Sequence, residues 1–537
     1  MAALEKLMDA QEGAQAVGPL QAQAAGELGR LIQAHVYPAS VVGFKGRVIA
    51  LGRCGRGKRL IVVRRGDASV GLAVQPEATV NGEVGGQSAT ACVYEMNADS
   101  ARFVREWLPF TRPQVLGLTR SFGAGDRLGL AGPGHIQARR RNGNGIAMVV
   151  AQQSARELTR THRTHQEVID AATWAVLQEG YREPWGADAD HLKTFDDVAA
   201  AADAGFTLFT IDPGDHVDDQ ADADDNATLM AKYDQLPWDT LETTGDALWH
   251  AYVGVTYDLG DGVRLVSETP EDLMRAACKY GRAVGHSAAM ARRITEVMGD
   301  RPFEIEVSVD ETASPTRVFE HFFVATELER LDVPNLVSLA PRFIGEFEKG
   351  IDYKGDLERF AESVRQHVVV ARHSGPYKLS IHSGSDKFSV YPIVARHAGD
   401  LVHVKTAGTS YLEALRVIGQ VDADLFREVY AFAYDRYEQD RASYHVSAEL
   451  AGVPKPDALA ADQMPGLLDR VDTRQVFHVT FGSVLTTKQS DGRWLFRDRL
   501  LAALDANEEA HYNALVAHIG RHMKPFAIKT SNGRSHD

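Results

Sequence analysis

A chain of 537 residues with 44% hydrophobic content holds enough apolar side chain for one large barrel with additions or for two to four ordinary domains. Its net charge of -15 excludes a protein built to grip nucleic-acid backbones, which need a basic face. Three cysteines without metal-ligand spacing (Cys54, Cys92, Cys278) exclude a disulfide framework, and no apolar run reaches the roughly 18 residues that span a bilayer, so a cytoplasmic protein without membrane contact is expected.

The first residues, MAALEKLMDAQEGAQ, carry acids and no apolar core segment, which is unlike a secretory signal. SVVGFKGRVIAL and KRLIVVRRG then alternate or run apolar with β-branched residues between glycines, so residues 1–110 read as a β-rich accessory segment. GRCGRGKR between them lacks the Ser or Thr that must follow Gly-Lys in a phosphate loop, and reads as a glycine-rich turn. The segment is a lid, an oligomer contact or plain packing, and a homo-oligomer stays open.

From about residue 111 to 537 short apolar runs alternate with helical patterns. The runs are VLGLT (115–119), FTLFTID (206–212), FEIEVSVD (303–310), LVSLAPRF (336–343), YKLSIH (377–382), LVHVKT (401–406) and VFHVTF (476–481). Strands alternating with helices imply a parallel α/β sheet. Seven runs fit a (β/α)8 TIM-type barrel with one strand unseen. A doubly wound sheet competes, but the glycine fingerprint of a dinucleotide-binding sheet follows none of the runs. SFGAGDRLGLAGPGH (121–135) reads either as a glycine-rich loop closing one side of a site or as a plain loop. Arg139, Arg140 and Arg141 read as a solvated loop, and so does DHVDDQADADDN (215–226), which lacks the glycine and closing glutamate of a calcium loop.

Barrel chemistry sits at strand C-terminal ends. Here those ends carry Asp212, Asp215 and His216, then Glu304, Glu306, Ser308 and Asp310 at alternate positions, then Arg342, Glu346, Glu348 and Lys349, then His382, then His403 and Lys405, and His478. Buried groups of this kind are costly unless paired or metal-bound. Histidine and carboxylate donors without cysteine suit Zn²⁺, Mn²⁺, Co²⁺ or Ni²⁺, which polarise a carbonyl and stabilise an enolate.

PRFIGEFEKGIDYKGD (341–356), KLSIHSGSDKFSVYP (378–392), HVKTAGTSYLEALRV (403–417) and DRASYHVSA (440–448), in that order, resemble the tagaturonate epimerase family. The likeness covers roughly residues 114–525 and implies a metal-dependent barrel enzyme that interconverts tagaturonate and fructuronate, with relatives acting on tagatose and fructose. By that resemblance Asp215 and Glu306 are the acid/base pair. His216, Glu348 (or Glu346) and His382 hold the metal, with His403 in reserve. Arg342, Asp386, Lys387, His403 and Lys405 hold the sugar. Competing readings are a ketose aldolase or an aldose–ketose isomerase on the same barrel, and a non-catalytic sugar-binding protein.

Overall fold

A computed structural model describes residues 2–9, 18–55, 57–66, 72, 74–267 and 269–528. Residues 10–15 of the N-terminal stretch and Arg56 of the glycine-rich turn lie outside them. Among the described residues no helix is long and apolar enough to cross a membrane.

The N-terminal segment is an antiparallel sheet in the order His35–Val36, Arg47–Cys54, Gly57–Arg65, Gln87–Tyr94, Ala78–Val84, with Val42–Phe44 pairing back onto Arg47–Cys54. Its central strands read as continuous apolar runs because both faces are covered. Val48, Ala50, Ile61 and Val63 pack beneath helices Ala2–Asp9 and Gly18–Ile32. The alternate residues Ile49, Leu51, Leu60 and Val62 meet Phe103 and Val104 of one helix and Trp174 and Leu177 of a barrel helix. The two-residue side-chain period therefore feeds two cores at once.

Eight parallel strands follow and close into a barrel: Ser121–Ala124, Ala147–Ser154, Trp185–Leu192, Leu208–Ile211, Glu304–Val309, Leu336–Pro341, Lys378–Ile381 and Val402–Thr406. The last pairs with the first, His403 opposite Ser121. Helices lie between the strands, so the fold is the expected α/β barrel with an N-terminal β-rich extension.

Two expected strands are not strands. Val115–Thr119 is a turn lying across the N-terminal end of the barrel, where the Gly117 N–H donates to Glu304. VFHVTF lies inside helix Val471–Thr486, whose residues 473–481 are all buried. A helix covered on every side loses its polar face, and its apolar residues then mimic a buried strand. The strand expected to be missing is replaced by three: SFGA, which opens the presumed loop 121–135, with AMVVAQQS and WGADADHL.

Two supposed solvated loops are also structured. Arg139 to Arg141 form the last turn of helix Gly132–Asn142, where Arg139 pairs with Glu183. In the acidic segment, Asp222 pairs with Lys279 at 2.7 Å and Asp225 caps helix Asn226–Asp234.

After the last strand, four helices between Thr409 and Ala506 build a second core around Leu412, Phe426, Tyr430, Phe477 and Phe481, while a fifth, Glu508–Met523, sends Leu515, Val516, Ile519 and Met523 into the barrel core. This layer folds against the C-terminal mouth of the barrel and supplies part of its rim.

Candidate active site

The mouth opens into two adjoining chambers of about 380 and 590 Å³, within the roughly 300–1,000 Å³ of ligand pockets. His382, Asp310, Glu311, Lys349 and Ser383 line both.

Each chemical group arrives on a strand end. The third strand delivers Asp188, Asp190 and His191. Asp212 follows the fourth, Glu306 and Asp310 come from the fifth, His382 follows the seventh, and Lys405 lies on the eighth. Alternation along the fifth strand sends Ile305, Val307 and Val309 into the surrounding core and Glu306 into the barrel interior.

Two histidines converge. His382 gives its Nε2 to Glu306 at 2.6 Å, and His191 gives its Nδ1 to Asp212 at 3.2 Å. Each ring is thus oriented from behind by a carboxylate. Their other nitrogens, His382 Nδ1 and His191 Nε2, face each other 3.2 Å apart, with Asp190 alongside. Ligand atoms of Asp190, His191 and His382 all lie within 4.8 Å of one another. His191 adopts φ +55° and Ser383, next to His382, φ +48°. Left-handed backbone at non-glycine residues costs free energy and marks positions held by their surroundings.

Beneath them lies a buried charge layer. Lys405 Nζ meets Asp188 at 2.7 Å, Glu306 at 2.8 Å, Asp190 at 2.9 Å and the Thr210 hydroxyl at 2.7 Å. Burial opposes the charge of Lys405, but the carboxylates outweigh it and hold the ammonium well above its usual range. Burial also opposes ionisation of Glu306, yet Lys405 and His382 hold its carboxyl well below normal. Asp188 is pushed up to about 6 by burial, assisted by the neighbouring acids. Burial disfavours charge on His382, but Asp310 and Glu306 raise it to about 10; Asp190 and Asp212 likewise raise His191 to about 9. Of five buried or half-buried carboxylates here, Asp188, Asp190 and Glu306 share the Lys405 ammonium, while Asp212 and Asp310 face the two histidines and draw protons onto them.

Of the residues expected from sequence, His382, Glu306 and Lys405 come together. Glu306 is fully buried under His382 and does not line the cavity. His403 lies deeper, bonded through Nδ1 to Ser121 at 2.9 Å, and burial pushes its imidazole down to about 3. Arg342 lines the second chamber and donates to the Thr312 carbonyl.

The others stand apart. The turn at Gly214–His216 directs Asp212 inward and Asp215 outward, where Asp215 is 72% exposed and pairs with Lys193 at 2.8 Å. His216 stacks on His286 with ring centres 4.0 Å apart. Glu348 accepts from Lys354 at 2.7 Å, Gln475 at 2.8 Å and the Ser447 N–H at 2.9 Å, which fixes its loop to the C-terminal helices. So His216 and Glu348 do not join His382 in one ligand set. Lys387 is buried and donates to the carbonyls of Ile351, Glu348 and Ser385 at 2.6–2.9 Å; burial lowers its ammonium to about 7.

Asp386 belongs to a second buried cluster. It accepts from Arg474 at 2.8 Å and meets His518 Nε2 at 2.7 Å, while its N–H donates to His522 Nε2. His522 Nδ1 donates in turn to the His518 carbonyl. These bonds use the ring nitrogens of His522 internally and tie the seventh-strand loop to the last helix. The variant Asp386→Ala removes the nearer carboxylate from buried Arg474, leaving Glu413 at 3.7 Å, and deprives His518 Nε2 of its carboxylate acceptor, so a loss of about 3–5 kcal/mol of stability is expected, read as a lowered urea midpoint.

The residues missed in the sequence are Asp188, Asp190 and His191, whereas Asp212 and Asp310 stand among the strand-end groups read from sequence, there without an assigned role. Asp188 and Asp190 do alternate along WGADADHL, as Glu304 and Glu306 do along EIEVSVD. That alternation was the available signal.

Comparisons with known proteins agree with this architecture. The family model described as tagaturonate epimerase matches residues 37–526. The tagaturonate/fructuronate epimerase of Thermotoga maritima is 43% identical over 430 residues, covering 80% of this chain and 85% of that protein. The glycerol-complexed crystal structure of the fructuronate-tagaturonate epimerase UxaE from Cohnella laeviribosi superposes with a TM-score of 0.85 at 36% identity, covering 94% of this chain and 99% of that one. The native crystal structure of the same enzyme gives the same values.

Proposed function

Because this chain belongs to the tagaturonate epimerase family, we propose that it interconverts D-tagaturonate and D-fructuronate with a divalent metal held by Asp190, His191 and His382. The observation that carries the metal reading is the pair of inward ring nitrogens 3.2 Å apart, each ring backed by a carboxylate. That separation is close to the spacing of neighbouring ligands around an ion with bonds of about 2.1 Å, and the carboxylate–histidine backing is the usual support of such ligands. Two imidazoles and a carboxylate without thiolate suit Zn²⁺, Mn²⁺, Co²⁺ or Ni²⁺. Bound there, the ion supplies positive charge for oxyanions that develop on the substrate.

The two sugar acids differ at C4 in ketose numbering, a carbon β to the ketone. Its C–H is not acidified by the carbonyl, so simple enolisation does not invert it. Retro-aldol cleavage does. The C4 hydroxyl gives its proton to a carboxylate as the C3–C4 bond breaks, its electron pair delocalising from C3 onto the ketone oxygen. The aldehyde half turns, the bond re-forms on the other face, and the proton returns to O4. Asp310 lines both chambers and lies 3.3 Å from His382 Nδ1, at the edge of the ligand set. We assign it the proton transfer. Glu306 and Asp212 keep the two imidazoles oriented, and Lys405 keeps Asp190 and Glu306 charged.

The test is a proton NMR time course in D₂O. Metal-stripped and metal-reloaded protein is incubated with D-tagaturonate and, separately, with D-tagatose. The expected result is the C4 epimer of the uronate, lost on chelation, restored by metal, and carrying no deuterium at C4. Deuterium at C4 would sink the cleavage route. A C3–C4 fragment pair that never recombines would indicate an aldolase, and conversion of tagatose would extend the substrate range to neutral ketoses.

A further inference from the structure

An anion entering an acid-rich cleft needs a cation that no carboxylate already neutralises. Most cations at this mouth fail that requirement. Arg127 pairs with Glu157 at 2.6 Å, Arg156 with Glu311 at 2.7 Å, Lys193 with Asp215 at 2.8 Å, and Lys405 with three acids. Two others differ. Among the described residues, no carboxylate lies within ion-pair distance of Lys349 or Arg342. Lys349 Nζ donates to the Ser383 hydroxyl at 2.6 Å, and Arg342 donates to the Thr312 carbonyl.

Their positions are unequal. Arg342 lines only the second chamber, whereas Lys349 lines both, beside His382. The Lys349 ammonium therefore stands where the chamber holding the ligand set of Asp190, His191 and His382 meets the chamber holding Arg342. A six-carbon sugar acid bound with its ketone end at those donors would need a cation for its far carboxylate, and Lys349 is one that lines both chambers without a carboxylate partner. An ammonium has three donors, of which Ser383 takes one.

We infer that Lys349, with Arg342 behind it, forms the carboxylate subsite that selects a hexuronate over the neutral ketose. This rests on the epimerase reading above and adds its specificity determinant. Lys349 supplies the point charge and Arg342 a planar fork that can meet two oxygens. The subsite places two cations without carboxylate partners inside an otherwise acid-rich cleft, in a chain whose net charge is -15.

Two readings separate the inference from the function it rests on. Calorimetry with D-fructuronate measures binding without turnover, and the epimerase assay measures KM and kcat. For Lys349→Met the expected result is a Kd and KM raised roughly 10- to 100-fold with kcat changed less than about threefold, the effect of losing a hydrogen bond to a charged group. Lys349→Arg is expected to recover most of the affinity. Lys349→Met is expected to keep the metal content of the wild type. The inference is overturned if Lys349→Met binds D-fructuronate as wild type does, or if it loses its metal together with its affinity, which would make Lys349 a brace for the His382 loop. Wild-type protein that binds the uronate through Lys349 but does not epimerise it would overturn the epimerase reading and leave the subsite standing.

Discussion

His382→Ala is expected to lower epimerase kcat/KM by at least about a thousandfold and, on the proposed metal reading, to abolish metal binding. The histidine is one of three converging donors, and it spans the charge layer and the cavity, touching Glu306 below and Asp310 and His191 above. Its loss removes a ligand, releases Asp310 and leaves the buried Glu306 with one fewer partner. Removing a single preorganised electrostatic group costs about 10²–10³ in rate, and here the ligand goes with it. Metal content after dialysis, read by atomic emission, and single-turnover kinetics check the two parts. A variant that keeps its metal and more than a tenth of its activity would rule His382 out as a ligand.

Lys405→Met is expected to lose about 3–5 kcal/mol of stability together with more than a hundredfold of activity. Three buried carboxylates share this ammonium at 2.7–2.9 Å. Breaking a buried ion pair by deleting one partner leaves charge that the interior cannot solvate. Asp188, already pushed up to about 6, is expected to take a proton first. The activity loss follows because Asp190 and Glu306 then lose the cation that keeps them charged. Thermal melting with and without added metal is the check: a second cation in the layer restores part of the lost stability, so the melting temperature of the variant is expected to rise more on metal addition than that of the wild type. Equal shifts would show that Lys405 and the metal site are not coupled.

The barrel was legible where strand residues differ strongly in size and polarity. EIEVSVD could be read because large branched side chains separate its acids. WGADADHL has the same two-residue period, but Gly186, Ala187 and Ala189 are too small to register as an apolar face, so Asp190 and His191 stayed hidden. SFGA is four residues long, too short for any period to show. VFHVTF failed in the opposite direction, since a helix buried all round carries the composition of a strand. At the site, the segment Asp212-Pro-Gly-Asp-His offers two acids and a histidine, and only the turn after Pro213 decides that Asp212 faces in while Asp215 and His216 face out. Glu348 looked like a ligand because nothing in the sequence reveals that Ser447, Gln475 and Lys354 claim its oxygens from up to 127 residues away.

The closure of the barrel by pairing Ser121–Ala124 with Val402–Thr406 has a consequence during synthesis. About 280 residues separate the two strands, so at roughly 5–20 residues per second some 15–60 s pass between their emergence from the ribosome. Throughout that interval the first strand presents an open hydrogen-bonding edge, the kind of surface on which chains misassemble. The N-terminal sheet, whose strands all lie within residues 35–94, is complete before then and can fold while the remainder is still being made. The nascent chain thus carries a paired antiparallel sheet beside an unfinished barrel, and the interval before Val402–Thr406 emerges is the one in which misassembly competes with closure.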